Sequence, residues 1–483
     1  MQARESRQES RVRHSPVDGT VTWAGTWATQ KEVLDAIQRT ATSFESWSRT
    51  TLDQRIEHVT RYANFLQANR AAIARTITLE SGKPLWESDL EVQSAIAKVD
   101  SAIVAIRTRR WTITEGTGNS YSAIRFRPLG IMVVLGPYNL PLHLPGAHFV
   151  PALLAGNTIL FKPSEKAPGV GDWIQQALQA TNLPASVVEC IHGSVDQARW
   201  AVVAHETAGV LFTGSYAAGK QLHIQLAGRP ECLLALEMGG NNPLVIDRIK
   251  CRRAAIATII QSAYLTSGQR CTCARRLILV NHQENVGFLD ELSSSIARIH
   301  VGNPVEERQP FMGTLVSDHA AASILATQRE LRLGGATILN ESKANESCDA
   351  MLTPSLILMN DQAKSDEEHF GPLLTVSITE NLADAIEVAN RTKYGLAAGL
   401  LSDDPSAYQH FVNNVRAGIV NWNAPTTGAS GKLPFGGIGS SGNHRPSGYF
   451  AADYCSYPVA SIENQELTPL GALPPGLQEI FDL

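Results

Sequence analysis

The stretch GIMVVLGPYNLPLHLPGAHFVPALLAGNTILFK, residues 130–162, decides the fold class. Its pattern predicts a buried strand at Gly130–Gly136, a helix at Leu144–Leu154 and a second buried strand at Thr158–Lys162. A strand, a helix and a strand in this order form a right-handed crossover, so the two strands lie parallel in one sheet. Ligands bind such a sheet beyond the carboxyl ends of its strands, and we look for chemistry there.

The same alternation continues toward the C-terminus. Strands are predicted at Val187–His192, Gly209–Thr213 and Leu233–Met238, with helix-length segments between them. This is a Rossmann-like parallel sheet, although no GxGxxG is present. A second alternating region begins near Gly239 and predicts a second α/β domain. Its predicted strands are Asn242–Ile246, Arg276–Val280, Ala336–Leu339, Leu373–Ile378, Gly399–Leu401 and Ile419–Asn421, with helices at Arg252–Thr266 and Glu284–Ile299.

The regions that flank the two alternating segments have different hydrophobic patterns. Residues 1–15 are polar and predict a loose tail, whereas residues 30–110 predict helices, among them Lys31–Ser46 and Leu52–Leu79. Trp111–Arg127 has a hairpin-like pattern, and the segment after Phe450 alternates like a strand. We therefore predict one domain from residues 1–110 and 128–238, a second from 239–449, and small β segments at 111–127 and 450–483. These spare segments would extend a sheet across a subunit boundary.

Composition narrows the class of protein. The chain has 483 residues, a formal charge of −5 and 43% hydrophobic residues, which indicates a globular protein with two or three domains. Without a basic surplus, nucleic acid is not expected as a main partner. The longest apolar run is too short and interrupted to span a membrane. Seven cysteines, with no CxxC pair and no His cluster, predict reduced thiols in a cytoplasmic protein and no metal site.

Cys271 is the candidate nucleophile. It lies in TSGQRCTC, residues 266–273, between a predicted helix and a predicted strand, where Gly268 permits a tight backbone. The adjacent Arg270 could favour the thiolate, which is the reactive form. A buried structural cysteine is the alternative interpretation.

Two further polar residues follow predicted strands. Glu237, in LALEMGGNNP at residues 234–243, ends an apolar strand, where burial would raise its pKa toward the range of a general base. Asn139, in GPYNLP at residues 136–141, could donate its amide to an oxyanion. The alternatives are a carboxylate satisfied by backbone donors and an asparagine that caps a turn.

Two more motifs suit a nucleotide. Lys162 and Glu165, in FKPSE, end a central strand where a ribose would lie. The small-residue turn FTGSYAAG, residues 212–219, opens a helix and offers N–H groups to a pyrophosphate through Gly214, Ser215 and Gly219. Solvated loops and ordinary strand-to-helix turns can look the same, so each motif is weak alone.

Taken together, these motifs make the chain resemble the NAD(P)-dependent aldehyde dehydrogenases from about Ser15 to Tyr457. Further matches are EEHFGP (367–372), NRTKYGL (390–396), GIVNWN (418–423) and PFGGIGSSG (434–442). GQRCTCARR (268–276) and GNHRPS (442–447) mark a finer resemblance to members that oxidise an acidic semialdehyde. Asn241 stands where most members have Lys. Two departures are expected: Leu142 and Gly146 differ from the small and polar residues typical around His143-Leu144-Pro145, and the N-terminus lacks the family's short opening strand.

The resemblance implies a mechanism and a cofactor. Cys271 would attack the aldehyde, Asn139 and the Cys271 N–H would hold the oxyanion, and Glu237 would activate water to hydrolyse the thioester. The first domain would be the NAD-binding domain and the second the catalytic domain, with oligomerisation through the β segments. Lys162 and Glu165 would bind the adenosine ribose and Glu368 the nicotinamide ribose, with Phe370 packed nearby. The Glu165 carboxylate repels a 2′-phosphate, which predicts NAD rather than NADP.

Substrate selection rests on cations. Arg270, Arg445 and His444 are candidates for binding the carboxylates of an acidic aldehyde, with Arg445 preferred. Pairing of Arg275, Arg276 or Arg445 with local carboxylates is the alternative.

Rival functions are a dehydrogenase of succinate or glutarate semialdehyde, a CoA-acylating dehydrogenase and a catalytically silent structural member. We expect a homodimer or homotetramer, and Cys273 to be a bystander on the same face as Cys271.

Overall fold

The computed structural model describes residues 10–117, 120–360, 366–467, 476–477 and 480. Among these residues no helix combines the length and the apolar character needed to cross a membrane.

The N-terminal region begins with a hairpin and continues with helices. Its elements are β1 (Ser10–His14), β2 (Val21–Thr26), α1 (Gln30–Ser48), α2 (Leu52–Ala68), α3 (Arg70–Ser81) and α4 (Leu85–Arg109). Strand β1 pairs antiparallel with β2. The predictions of a loose tail reaching residue 15 and of a missing opening strand are therefore wrong, although residues 1–9 lie outside the described residues. The single helix predicted at Leu52–Leu79 is two helices, because the backbone leaves helical geometry at Asn69.

The hairpin predicted at Trp111–Arg127 is present, and a doubly wound sheet follows it. The elements are β3 (Ile113–Thr117), β4 (Ser120–Pro128), β5 (Ile131–Leu135), α5 (His143–Ala155), β6 (Thr158–Lys162), α6 (Pro168–Gln179), β7 (Val188–Cys190), α7 (Val195–Val203), β8 (Thr207–Gly214), α8 (Tyr216–Leu226) and β9 (Leu233–Met238). The sheet order is β7-β6-β5-β8-β9, with all pairings parallel. The winding direction reverses between β5 and β8, which is where ligands bind such sheets.

A second, larger sheet forms from the next segment. The elements are β10 (Asn242–Ile246), α9 (Arg252–Tyr264), β11 (Ala274–Val280), α10 (Phe288–Ile296), α11 (Asp318–Leu333), β12 (Thr337–Asn340), β13 (Ala344–Asn345), β14 (Cys348–Leu352), β15 (Ser355–Leu358), β16 (Leu373–Thr379), α12 (Leu382–Asn390), β17 (Ala397–Leu401), α13 (Pro405–Asn414) and β18 (Ile419–Trp422). Its order is β12-β15-β16-β11-β10-β17-β18, and only the edge strand β12 is antiparallel. Two parallel sheets with helices confirm the predicted α/β class.

The C-terminal segment returns to the first half of the chain. Its elements are β19 (Pro434–Phe435), β20 (Ser447–Gly448), α14 (Ala451–Tyr454) and β21 (Ser456–Asn464). Strand β21 pairs antiparallel with β4 from Ser456 opposite Pro128 to Asn464 opposite Ser120, which completes a three-stranded sheet with β3. Ala451 and Ala452 are buried in the same apolar core as the inner faces of α4 and α5. The division of the chain into domains stays a prediction.

Candidate active site

The candidate nucleophile lies in a turn with unusual backbone geometry. Thr266, Ser267 and Gly268 have φ values of 57°, 51° and 74°, in the left-handed region, immediately before the segment that carries Cys271. A side chain at Gly268 would place its Cβ 2.1 Å from the Gly371 carbonyl oxygen, so only glycine fits there. The turn therefore brings the cysteine loop against the Gly371 segment, which the sequence had marked only as a family motif.

Side chains from two neighbouring strands of the second sheet, β10 and β11, fix this loop. The Asn242 amide donates to the carbonyl oxygens of Cys271 and Cys273, at 2.7 and 2.8 Å. The Arg275 guanidinium donates to the carbonyl oxygens of Gly268 at 2.6 Å and Arg270 at 3.0 Å. These bonds hold the Cys271 backbone in one conformation, so its side chain has a defined direction.

Glu237 lies beside Cys271 at the end of β9. It is 1% exposed, and neither carboxyl oxygen has a hydrogen-bond partner among the described residues. Burial raises the pKa of Glu237 to about 8, with the Cys271 thiol acting in the opposite direction. Burial also raises the pKa of Cys271 well above its usual range, and the Glu237 and Glu368 carboxylates raise it further. The pair therefore rests as a thiol beside a protonated carboxyl at neutral pH.

Arg270 does not favour the thiolate. Its guanidinium pairs with the buried Glu87 carboxylate at 2.7 Å and donates to the Thr266 hydroxyl at 2.7 Å. The hypothesis drawn from its position next to Cys271 therefore finds no support in the side-chain geometry.

Asn139 follows β5 and faces the same space. Its Nδ2 donates to the Gln269 carbonyl oxygen at 3.0 Å, and the amide has a second N–H. The buried Lys83 ammonium donates to the Asn139 carbonyl oxygen at 2.9 Å and pairs with Glu91. Glu91 in turn accepts the backbone N–H of Leu142 at 2.9 Å. Sequence reasoning missed this Lys83–Glu91 pair, because Lys83 lies just before α4 and only Glu91, a charged residue on the buried face of that helix, gave a signal.

A cavity of about 640 Å³ opens at the switch point between β5 and β8. Cys271 and Glu237 lie at one end, and the volume is in the range of a ligand site. The cavity also contains most of the predicted nucleotide-binding residues, namely Lys162, Glu165, Gly214, Ser215, Glu368 and Phe370. Lys162 and Glu165 approach each other to 3.8 Å. The structure thus brings residues from five separate segments of the chain to one cavity.

Gly219 does not line this cavity in the described structure. A Cβ on Gly219 would lie 2.4 Å from the Met238 sulfur, so this glycine allows α8 to pack closely on β9. The turn itself begins the helix in the expected way, because the Ser215 hydroxyl accepts the Ala218 N–H at 3.3 Å. Gly219 therefore contributes helix packing rather than a surface of the cavity.

Glu368 occupies a close-fitting position over two glycines. It accepts the Gly240 N–H at 3.2 Å, and a Cβ on Gly239 would lie 1.6 Å from a Glu368 oxygen. Burial raises the pKa of Glu368 to about 7, and the Arg275 guanidinium, 3.9 Å away, opposes that shift. Phe370 packs edge-on against Tyr138 with ring centroids 6.1 Å apart. The absence of a side chain at Gly239 therefore lets the Glu368 carboxylate lie directly against the backbone.

A second cavity, of about 500 Å³, also reaches Cys271. Its wall includes one face of α4 and the segment from Thr427 to Lys432, and it contains three cationic side chains: Lys98, Arg270 and Lys432. Arg445 and His444 are not among its lining residues. Both have left-handed backbone, with φ 52°, and the Arg445 guanidinium donates to the Gly437 carbonyl oxygen at 2.6 Å. Their predicted role in substrate binding gains no support from this position.

Other predicted partners can be placed as well. Arg276 donates to the carbonyl oxygens of Asn241, Val388 and Ala389, not to a carboxylate. Cys273 is fully buried, lines neither cavity, and its thiol lies 3.7 Å from the Leu265 carbonyl oxygen. It lies in a turn rather than an extended segment, so it does not share the Cys271 face. No group of three His, Cys, Asp or Glu in the described ranges could hold a metal ion.

Comparisons with known proteins agree with this geometry. Residues 3–458 match the model of the aldehyde dehydrogenase family. N-succinylglutamate 5-semialdehyde dehydrogenase of Legionella pneumophila (strain Corby) is 45% identical over 95% of this chain and 93% of its own. The protein of the same name from Yersinia pestis bv. Antiqua (strain Angola) is 42% identical over 98% and 93%.

Solved structures have the same fold. A putative aldehyde dehydrogenase from Burkholderia cenocepacia superposes with a TM-score of 0.90 at 25% identity, over 97% of this chain and 96% of that one. Betaine aldehyde dehydrogenase from Staphylococcus aureus, solved in complex with NAD+, gives 0.89 at 25% identity, over 96% and 94%. The chain therefore belongs to the aldehyde dehydrogenase family.

Proposed function

We propose that this enzyme, an NAD-dependent aldehyde dehydrogenase, oxidises N-succinylglutamate 5-semialdehyde to N-succinylglutamate. The relatives that carry this name are 42–45% identical to the chain over nearly its whole length. The single observation that carries the chemistry is the meeting of two cavities at Cys271, with Glu237 and Asn139 beside it. One cavity suits a dinucleotide, and the other leaves room for an aldehyde.

Cys271 Sγ is the proposed nucleophile. In the resting state its thiol faces the buried Glu237, and the fraction of Glu237 that is ionised takes the thiol proton as Sγ attacks. Sγ then bonds to the aldehyde carbon. The oxygen that becomes negative would be held by the second N–H of Asn139 and by the Cys271 N–H, which has no acceptor among the described residues.

Glu237 has a second proposed role, in hydrolysis. After oxidation, the acyl group remains on Sγ as a thioester. A carboxyl with a pKa near 8 is a stronger base than an exposed glutamate, and its two free oxygens can accept a proton from water. This hydrolytic base also distinguishes the enzyme from a CoA-acylating dehydrogenase, where water activation would destroy the intermediate.

The residues of the larger cavity fit NAD. Lys162 and Glu165 would hold the adenosine ribose, Gly214 and Ser215 the pyrophosphate, and Glu368 the nicotinamide ribose. Gly239 lines the same cavity as Cys271, and a side chain there would displace the Glu368 carboxylate. When bound, NAD supplies the acceptor for the two electrons that leave the substrate.

Assays of NADH formation with a panel of semialdehydes test this function. We expect the highest kcat/KM for N-succinylglutamate 5-semialdehyde, with succinate and glutarate semialdehydes well below it. A higher kcat/KM for either of those two would overturn the proposed substrate but not the chemistry. Formation of acyl-CoA in place of free acid would favour the CoA-acylating function. Turnover unaffected by alkylation of Cys271 would contradict the mechanism.

We also propose a cytoplasmic location, a homodimeric or homotetrameric state, and two domains with the boundaries given above. All seven cysteines are free thiols, which suits a reducing compartment. The three-stranded sheet of β3, β4 and β21 leaves strand edges available to a second copy. Light scattering in solution tests the oligomeric state, and a monomer at micromolar concentration would exclude it.

A further inference from the structure

One face of α4 forms a wall of the smaller cavity. Glu87, Glu91, Ser94, Lys98 and Ser101 recur at intervals of three or four residues, which places them in one stripe along the helix. The hydroxyls of Ser94 and Ser101 donate to carbonyl oxygens of their own helix. The charged members of the stripe therefore decide the electrostatic character of this wall.

Both acidic residues of the stripe are already neutralised. Glu87 pairs with Arg270 at 2.7 Å, and Glu91 pairs with the fully buried Lys83. His143, another lining residue, is held neutral because burial and the nearby cations lower its pKa to about 3. None of these groups leaves a net charge in the cavity.

Lys98 is different from these paired groups. It is only 7% exposed, yet its ammonium has no hydrogen bond and no ion pair with any described residue. Its Nζ lies 3.7 Å from the position that a Cβ on Gly431 would take, so it is close to the opposite wall of the cavity. Burial without a partner lowers its pKa to about 8. A desolvated, unpaired ammonium is unfavourable unless an anion reaches it.

We propose that Lys98 binds a carboxylate of the substrate and is the residue that selects acidic aldehydes. This inference deepens the proposed function and rests on it, because the substrate proposed there carries two carboxylates. The carboxylate lies against the Lys98 ammonium while the aldehyde carbon lies at Cys271, which lines the same cavity. Lys432, exposed and without an ion pair in the described structure, provides a weaker second cation on that cavity.

Kinetics with paired substrates test this assignment. The variants are Lys98→Met, which removes the charge at similar length, and Lys98→Arg, which keeps it; Lys250→Met, at an exposed lysine outside both cavities, is the matched control. Each is assayed with N-succinylglutamate 5-semialdehyde, glutarate semialdehyde and the neutral butyraldehyde. We expect the ratio of kcat/KM for acidic over neutral aldehyde to fall about 10- to 100-fold in Lys98→Met, mainly through KM.

The remaining variants sharpen the result. Lys98→Arg should recover most of the ratio, Lys432→Met should lower it less than tenfold because that charge is solvated, and Lys250→Met should match the wild type. An unchanged ratio in Lys98→Met, with NADH still formed from butyraldehyde, overturns the inference. A loss of activity with all three aldehydes in Lys98→Met and recovery of none in Lys98→Arg would mean a structural role and would also overturn it.

The inference and the proposed function can fail separately. If the wild type prefers glutarate semialdehyde and Lys98→Met still lowers the acidic-to-neutral ratio, Lys98 is supported and the proposed substrate is wrong. If the wild type prefers N-succinylglutamate 5-semialdehyde and Lys98→Met keeps that preference, the substrate stands and Lys98 is excluded.

Discussion

The two cavities that meet at Cys271 are built in different ways. The larger is made from the ends of parallel strands, where Asn139 follows β5, Lys162 ends β6 and Glu237 lies near the end of β9. The smaller is made from one face of a long helix and a segment more than 300 residues away in sequence. The first cavity follows from the topology of a doubly wound sheet, whereas the second depends on how distant segments pack.

This difference explains why the sequence predicted the candidate binding residues of the larger cavity but not Lys98 in the smaller one. Strand ends are local features, so a polar residue directly after an apolar run is visible in the sequence. The position of Lys98 becomes meaningful only when α4 faces residues 427–432. We therefore expect mutations in the two cavities to separate cofactor binding from substrate choice.

The largest effect is expected at the atom that both cavities share. Cys271→Ala should lower kcat by about 10⁴-fold or more, because no other thiol lines either cavity in the described structure. NADH formation and NAD affinity measured on the same preparation provide the test. Cys273→Ala is the matched control, since that thiol is buried away from both cavities, and near-normal activity is expected. Equal losses in both variants would contradict the assignment of the nucleophile.

The next largest effect is expected from the oxyanion donor. Asn139→Ala should lower kcat by about 10²- to 10³-fold with every aldehyde, acidic or neutral, because the lost hydrogen bond forms to the reacting oxygen. Steady-state kinetics with butyraldehyde and an acidic aldehyde would measure it. A loss confined to KM for acidic aldehydes would instead place Asn139 in substrate selection and remove the contrast between the cavities.

The pH dependence of selectivity sharpens the role of the smaller cavity. Lys98 carries its charge below a pKa of about 8, so attraction of a carboxylate should weaken as pH rises through that value. The acidic-to-neutral ratio of kcat/KM should fall about tenfold between pH 7 and pH 10 and stay flat in Lys98→Met. Titration of Cys271 and Glu237 affects the turnover of both aldehydes, so its effect cancels in the ratio. Besides Lys98 and Cys271, the titratable or charged groups that line this cavity are Glu87, Glu91, His143, Arg270 and Lys432. The buried His148 does not line it, but burial and the Lys98 charge lower its pKa.

A smaller effect is expected in the larger cavity. Glu165→Gln should raise kcat/KM for NADP relative to NAD by about 3- to 10-fold, because a half-exposed carboxylate near the ribose no longer repels a 2′-phosphate. The acidic-to-neutral ratio should not change. A wild-type enzyme that already prefers NADP would contradict this interpretation of Glu165.

The smallest effect concerns stability. The folded-state pKa of Glu237, about 8, lies above the ordinary value of 4.5, so the protonated carboxyl stabilises the fold fully below about pH 4.5, and that contribution is lost as pH rises through 8. Glu237→Gln should therefore gain stability over the wild type at pH 9 relative to pH 5, by about 2 °C or more in Tm. Thermal denaturation at both pH values measures it. A constant difference would mean that Glu237 is not buried in its neutral form.

The sequence was informative where chemistry coincides with local pattern. The α/β class and several strands, including Thr158–Lys162 and Leu233–Met238, follow from apolar runs alone. Strand β1 was missed because SRVRH is short and charged; its Arg13 is held by the carbonyl oxygens of Glu80 and Val316, which only the folded chain brings near. The preference for Arg445 as a substrate-binding residue rested on a motif. A motif gives the position of a residue along the chain but not the direction of its side chain.

Strand β21 has a consequence for biosynthesis. Its partner β4 leaves the ribosome more than 320 residues earlier, so the β3–β4 hairpin keeps one edge open while both large sheets are being translated. Any chain that ends before residue 456 carries that open edge permanently. Premature termination near the C-terminus would therefore produce a protein with a complete active site and an unpaired strand edge on β4 that promotes self-association.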